Sequence, residues 1–571
     1  MTNILDSLPS ELFRSILKYL SPEDAIALSQ TCRRMHQIVQ DEHIWQEFYL
    51  KRYKYFQQSI HYSVDEYLPN SALKLHSLPL NDCTWQDTFR QRAIQDQHIR
   101  KLFNEILIDR SCRTQNASYL SSTYGLLCFD VLKTYFPSEN SSQSIESRRF
   151  TREYYSFEIA RLISRDIGLN LLNDIKQQTH NLSSTYGKAL INGLYAIQCF
   201  HPHGLFLNLN SLDQIAQQIV TDDYFQQANL REKCQLILSK MKLEQFLPAI
   251  NGTEYYDLEN SFLYSTFHGK PTIPLTLVAV FCAIADQCGL KARPVGFPGE
   301  VMAQVDSSTD SNQHGLIVSV FDNKITSLEE INERLSHVLD EPLTYPLPMT
   351  SIRELVIRSA RNILNSITRH STSSLDSYGL YATVAVMKIL DDTALPFTFD
   401  SMINILKEQF QFDTKLFEMF LSNSIINEQN SNAIQIKPRR QNAPQFSIGQ
   451  IFQHRQYHYW AVISGWDYIC AATPIWQVRM GVANLLRGAS QPFYYTLASD
   501  QSKRYVPEDN IDVLAFDSIE NQEEKYSIIE KLCTADEIGK YFDRIDLING
   551  KFRANSELCQ EYPDDCVPIL L

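Results

Sequence analysis

The sequence has no Cys-x-x-Cys pair and no zinc-finger spacing among its twelve cysteines (positions 32, 83, 112, 128, 199, 234, 282, 288, 470, 533, 559 and 566), so it offers no legible structural zinc site. It has no long hydrophobic run either. The longest, Ile273 to Ala285, is 13 residues and is interrupted by Thr276. Crossing a bilayer takes roughly 20 apolar residues, so no membrane partner is expected and the chain is expected to be soluble. It lacks an excess of positive charge. With 52 Lys and Arg against 66 Asp and Glu, the formal net charge is -14, which argues against phosphate tracking through a general field while leaving room for a local basic patch. No secretory leader is read at the N-terminus, so the cysteines are expected to be reduced thiols in the cytoplasm or nucleus.

What is present fits a globular protein of several parts. At 571 residues the chain exceeds one ordinary core, and two to four domains are expected. Hydrophobic residues make up 44% and aromatics 11%, enough to build those cores and too much for a disordered chain. The expected class is multidomain α+β.

The first fifty residues read as three short helical segments. Leu8-Pro9-Ser10-Glu11-Leu12 leads into Ile16, Leu17 and Leu20, with Pro9 in the first turn. Ser21-Pro22-Glu23-Asp24 starts a second helix, with Ser21 as its N-cap, and that helix carries Ala25, Ile26, Leu28 and Cys32. Met35, Ile38, Ile44, Trp45, Phe48 and Tyr49 follow. A unit this small is marginal alone and leaves apolar surface uncovered. In order and spacing, the Leu-Pro start, the Ser-Pro-Glu-Asp turn, Thr31-Cys32-Arg33-Arg34 and Asp41-x-x-Ile44-Trp45 resemble the F-box. The resemblance implies that Leu8, Pro9, Leu12, Ile16, Leu20, Ile26 and Leu28 dock on the Skp adaptor of a cullin-RING ubiquitin ligase. The plainer reading is a helical cap on the rest of the chain.

The stretch from Ile250 to Val305 holds the chemistry, or its remains. Pro271 and Pro274 open an apolar run that Gly289 closes, predicting a helix buried all round. Pro274-Leu275-Thr276-Leu277 and the following strands resemble the SirB-type branch of transglutaminase-like folds. In active members of the wider superfamily a Cys stands in the first turn of this helix, where the helix dipole and a nearby His lower its pKa. Here that turn has none. The His position after Pro298-Gly299 is Glu300, and the acid position falls at about Ser319. Cys282 and Cys288 lie deeper in the helix and read as core. His314 sits in a polar loop and Asp322 in a turn. The domain is therefore expected to be a binding scaffold and not an enzyme, with a substrate groove around Pro274, Phe297, Glu300 and Ser319. His201-Pro202-His203 has no third ligand at a sensible spacing and reads as a loop, so no metal and no cofactor is expected.

Beyond this domain, Ile352 to Ile367 and Tyr378 to Leu390 predict an antiparallel helical pair, and Asn423 to Pro444 reads as a flexible linker that includes the basic Lys437-Pro438-Arg439-Arg440. From about 446 the pattern turns to strands. Val462-Ile463-x-Gly465-Trp466-Asp467, Gln491-Pro492-Phe493-Tyr494-Tyr495 and Tyr505-Val506-Pro507 resemble the YccV or HspQ family, implying a small β-barrel. That family was first described as binding hemimethylated DNA. From Phe446 to Ala515, however, five basic residues face five acidic ones, a balance that gives no phosphate-tracking field. A protein-binding surface is the preferred expectation, with Trp466, Trp476, Tyr494 and Arg504 as its candidates.

The expected division is an F-box over 1–55, a helical linker over 56–100 and a SirB-type domain over 101–345. A helical tail over 346–422, a linker over 423–445, a YccV-like barrel over 446–545 and an acidic tail over 546–571 complete it. This order resembles the F-box only protein 21 family, which implies a substrate-recognition subunit of a Skp-cullin-F-box ligase that recruits protein targets for ubiquitination. The alternatives are a cysteine hydrolase or transamidase with a displaced triad, and a DNA-binding module working through the last domain.

Overall fold

The computed structural model describes residues 9–17, 19–53, 84–137, 145–177, 186–204, 207, 209–249, 255–297, 300–306, 315–337, 341–345, 347, 350–370, 375–391, 396–413, 417, 434–439 and 444–566. The chain divides into two compact units: one takes residues 1–93, 121–130 and 161–422, the other 94–120, 131–160 and 423–571. No described helix is long and apolar enough to cross a membrane.

In the first unit, the N-terminal helices Ser10–Leu17, Pro22–Ser29, Arg33–Val39 and Glu42–Arg52 enclose a small core of Phe13, Leu17, Ala25, Met35, Trp45 and Phe48. Local chemistry sets the joints. The Ser21 hydroxyl accepts the Asp24 N–H at 3.0 Å, as a cap should, and Trp45 Nε1 donates to the Val39 carbonyl at 2.6 Å, satisfying the one polar atom of a buried indole.

The centre of the same unit is the helix Pro274–Gln287, in which every residue from Leu275 to Ala285 is buried. Helices Tyr186–Gln198, Asn210–Val220 and Leu230–Leu243 pack on it, as do strands β3 (Lys291–Phe297) and β4 (Glu300–Asp306). A short parallel pair, β1 (Leu247–Pro248) with β2 (Pro271–Thr272), precedes it. β5 (Leu316–Ser319) and β6 (Lys324–Thr326) extend the sheet in the order β3-β4-β5-β6, antiparallel throughout. Gly187 lets one helix touch the other's backbone: a Cβ there would lie 2.2 Å from the Cys282 carbonyl carbon. The helices Ile352–His370 and Asp376–Leu390 pack antiparallel, with Thr383 donating to the Ala360 carbonyl at 3.3 Å and Arg361 paired to Asp391 at 3.2 Å.

The second unit carries β7 (Ile451–His454), β8 (Trp460–Asp467), β9 (Phe493–Ala498), β10 (Lys503–Pro507) and β11 (Ile511–Asp512) in the order β10-β9-β8-β7-β11. The α+β class is as expected, but among the described residues no ladder joins β10 to β11, so the sheet is open where a small barrel was expected. Helix Gln522–Cys533 and the hairpin β12 (Phe542–Asp546) with β13 (Lys551–Ala554) complete the core.

The stretch expected to be an acidic tail is folded as far as Cys566. Phe552, Leu558 and Tyr562 are buried in that core, and Gly449, at φ +82°, lets the chain pass so close to β13 that a Cβ would overlap the Phe552 carbonyl. Much of the expected linker lies outside the described residues; its 434–439 stretch is neither helix nor strand and is bonded to the domain.

Candidate functional site

The N-terminal helices leave several apolar side chains facing outward. Leu12, Ile16 and Ile26 are 51%, 46% and 43% exposed, and Pro9 and Tyr19 are also open to solvent. Leu20 and Leu28 are only partly exposed and pack against the unit's own core, and Leu8 lies outside the described residues. Helix periodicity explains the split: Phe13 and Leu17 turn inward while Leu12 and Ile16 turn out.

At the transglutaminase-like centre, Pro274 occupies the first turn of the buried helix and is partly exposed. The N–H before it, from Ile273, donates to the Asn260 carbonyl at 3.3 Å. Two residues on, the Thr276 hydroxyl is buried without a hydrogen-bond partner among the described residues. Glu300 opens β4 opposite Phe297, and Pro298 and Gly299 between them lie outside the described residues, as does His314.

Arg334 ties the other positions together, pairing with Glu300 at 3.4 Å and with Asp322 at 3.7 Å, while the Ser319 hydroxyl donates to Asp322 at 2.8 Å. Burial lifts the Glu300 carboxyl above its ordinary range and Asp322 adds to this, against Arg334 and Arg358. Arg358 donates to the Phe297 carbonyl at 3.1 Å.

The arrangement is therefore an ion-pair network rather than a thiol, imidazole and acid in line. Two of the expected groove residues are corrected by burial. Phe297 is packed among Val295, Met302 and Ile331, and Ser319 is buried against Asp322, so neither offers a side chain to a ligand. The thiols of the helix are equally withdrawn: burial pushes Cys282 well above the ordinary thiol range and Cys288 up to about 12.

Sequence reasoning passed over the His201 cluster. His201 is buried, its Nδ1 accepts the His203 N–H at 3.1 Å, and its Nε2 lies 3.8 Å from Glu259, which also meets Lys270 at 3.7 Å. His201, His203 and His268 all stack on Tyr264. Interaction with His201 holds Glu259 below the usual carboxylate range; burial lowers His203, with His201 adding to it. Among the described residues no group of three His, Cys, Asp or Glu stands together as metal ligands, and the cluster is a stacked, hydrogen-bonded corner. The only signal for it was the His-Pro-His spacing, which a loop shares.

In the C-terminal domain a cleft of about 770 Å³ opens over the sheet, walled by Trp476, Phe493, Tyr495, Arg504 and Tyr505 among others. Trp476 and Arg504 thus line it, with the Arg504 guanidinium 3.9 Å from the Tyr459 ring centre. Trp466 and Tyr494 are corrected: they are cross-strand partners that point into the core. Trp466 Nε1 donates to Asp565 at 2.9 Å and the Tyr494 hydroxyl to Glu508 at 2.6 Å, so both polar atoms are satisfied inside. The next residue, Tyr495, faces out on the opposite side of the strand.

Comparison with known proteins matches this architecture. Residues 5–51 match an F-box-like family model, residues 208–359 a transglutaminase-like superfamily model, and residues 444–548 a model described as hemimethylated DNA-binding protein YccV like. The chain is thus a multidomain protein with F-box-like, transglutaminase-like and YccV-like parts in that order. From end to end it is similar to proteins named F-box only protein 21, and its domain order is the one expected of that family. It is 22% identical to the Pongo abelii protein and 21% to those of Mus musculus and Homo sapiens, each over 98% of this chain and 92% of the relative. No solved structure matches.

Proposed function

We propose that the chain is the substrate-recognition subunit of a Skp-cullin-F-box ubiquitin ligase, acting in the cytoplasm or nucleus. The observation that carries this is the outward face of Leu12, Ile16 and Ile26 on helices that already fill their own core with Phe13 and Leu17. Apolar side chains left outside a completed core fit a partner helix face. The F-box-like match and the full-length similarity to proteins named F-box only protein 21 support the same reading.

On this reading the chain itself makes and breaks no bond. It holds a target near the ubiquitin-charged enzyme and raises the local concentration of the reacting groups. The middle domain acts as a scaffold whose triad positions are replaced. The absence of a Cys in the first turn and the buried thiols of Cys282 and Cys288 favour this over a displaced cysteine hydrolase. Glu300 and Pro274 remain the groove positions that a target could reach. A DNA-reading role is less favoured, because Lys503, Arg504 and Arg487 are engaged by Glu537, Asp500 and Glu508.

The test is copurification of the full chain with the Skp adaptor and cullin. The wild type should retain both, and Leu12→Ala with Ile16→Ala should lose them by at least about tenfold, since each truncation removes roughly 1 kcal/mol or more of buried contact. Retention by the double variant, or no binding by the wild type, overturns the proposal. Loss of target ubiquitination with the adaptor still bound, on Glu300→Arg, would place the target at the middle domain.

A further inference from the structure

A short basic segment of the chain lies bound along its own C-terminal domain. Residues 434–439 form neither helix nor strand, and the main chain of Lys437, Pro438 and Arg439 is held by hydrogen bonds. The Lys437 N–H donates to the Glu561 carbonyl at 2.7 Å, the Arg439 N–H to Asp564 at 2.7 Å, and the Tyr468 hydroxyl to the Pro438 carbonyl. The side chains enter separate places. Lys437 Nζ donates to Asp467 at 2.9 Å, to the Tyr562 hydroxyl at 3.2 Å and to the Trp466 carbonyl at 3.4 Å, and lies over the rings of Tyr562 and Tyr495. Arg439 pairs with Asp565 and its guanidinium faces Trp466. Main-chain hydrogen bonds plus alternate side-chain pockets are how folded domains hold extended peptides.

Lys437 also lines a larger cleft. The cleft it lines has about 770 Å³, within the roughly 300–1,000 Å³ of ligand pockets and far more than one lysine fills. Its aromatic wall continues from Tyr495 to Tyr505 at 4.8 Å between ring centres and on to Phe493 at 5.1 Å. Asp467 joins the two halves, since its other oxygen accepts the Tyr505 hydroxyl at 2.7 Å. A carboxylate beside electron-rich ring faces selects a cation.

We propose that the groove holding Lys437 and Arg439, together with the cleft beside it, is a binding site for a basic segment of a partner protein, one with a lysine followed closely by a second cation, and that Lys437 to Arg439 is the groove's occupant in cis. The tether holds the occupant at a high effective concentration, on the order of millimolar for a short linker, so the groove stays filled until a partner segment outcompetes it. The carboxylates of Asp467, Glu561, Asp564 and Asp565 would repel a nucleic-acid phosphate at the same place. The site is independent of the adaptor face and stands or falls separately from it.

The probe is a fluorescein-labelled peptide of residues 434–439, titrated by anisotropy into the full-length chain. Lys437→Ala with Arg439→Ala should free the groove and bind the peptide at least about tenfold more tightly than the wild type. Adding Tyr495→Ala, a change on an exposed ring, should reverse that gain, and acetylating the peptide's lysine should do the same. In the wild type, excess peptide should speed hydrogen exchange at the Lys437 and Arg439 amides, a readout that needs no variant. No gain in the double variant together with unchanged exchange in the wild type overturns the proposal. So does a labelled single-stranded DNA that binds the freed groove more tightly than the peptide.

Discussion

The Gly187 N–H donates to the Asp286 carboxylate at 2.7 Å, pinning the start of one helix to the end of the buried helix Pro274–Gln287. Burial nonetheless lifts this carboxyl to about 6, against the opposing backbone donors at Gly187, Lys188 and Ala292. The folded chain then holds the proton more tightly than the unfolded chain, whose Asp titrates near 3.9. Stability from this group is complete below about pH 4, declines as pH rises to about 6, and is flat above that. A shift of this size corresponds to on the order of 3 kcal/mol. Asp286→Asn should therefore remove a downward slope from the stability of the middle domain between those values. Urea titrations of both chains across that range check it, and parallel curves would show that Asp286 does not carry the shift.

Arg165 and Asp413 form a bidentate pair at 2.8 and 2.7 Å, both side chains only 2% exposed, and the Tyr381 hydroxyl donates to the same carboxylate at 2.9 Å. Removing one charge strands the other in a dry place, which costs about 3–5 kcal/mol. Asp413→Ala should lower stability by that amount. Arg165→Met with Asp413→Leu should recover most of the loss, because an apolar pair of similar volume leaves no buried charge behind. Equal losses in the single and double variants, measured by chemical denaturation, would locate the effect in packing instead.

These two relationships also show where the sequence was legible. The buried helix could be read from Pro274, Gly289 and an unbroken apolar run, and the second N-terminal helix from Ser21-Pro22-Glu23-Asp24, because caps and periodicity are local. Arg165 and Asp413 stand 248 residues apart, and nothing near either one announces the other. Strand alternation could not place Trp466 and Tyr494, since β8 is buried on both faces between its ends and β9 everywhere but at Tyr495. The C-terminal stretch was misread because its charge hid its core. Glu557, Glu561, Asp564 and Asp565 surround Leu558 and Tyr562, and the cation of Arg439 that answers Asp565 lies 126 residues earlier.

The N-terminal helices allow adaptor binding to be separated from folding. Phe13 is buried and Leu12, its neighbour, is half exposed. Phe13→Ala should destabilise the small helical core by about 3–5 kcal/mol, whereas Leu12→Ala should cost under about 1 kcal/mol of stability. Circular dichroism melts of the two variants, run beside the copurification assay, should show Leu12→Ala folded and impaired in binding. A Leu12→Ala chain that melts like Phe13→Ala would mean that this face is covered within the protein.

The thiols of the middle domain offer the sharpest check on its chemistry. A catalytic cysteine must be largely thiolate near neutral pH and must be reachable. Cys282 is fully buried, with its thiol raised first by burial and then by Asp286, and Cys288 is raised to about 12 by burial, so each is protonated at neutral pH. Cys32, by contrast, is exposed. Iodoacetamide applied to the native chain near pH 7.5 should label Cys32 and leave Cys282 and Cys288 unmodified until denaturant is added, because reactivity follows the thiolate fraction and access. Peptide mapping by mass spectrometry reads this directly. Rapid native labelling of Cys282 would require the helix to open and would return the domain to the cysteine hydrolases; protection there, with Cys32 modified, leaves the middle domain no thiol nucleophile within that helix.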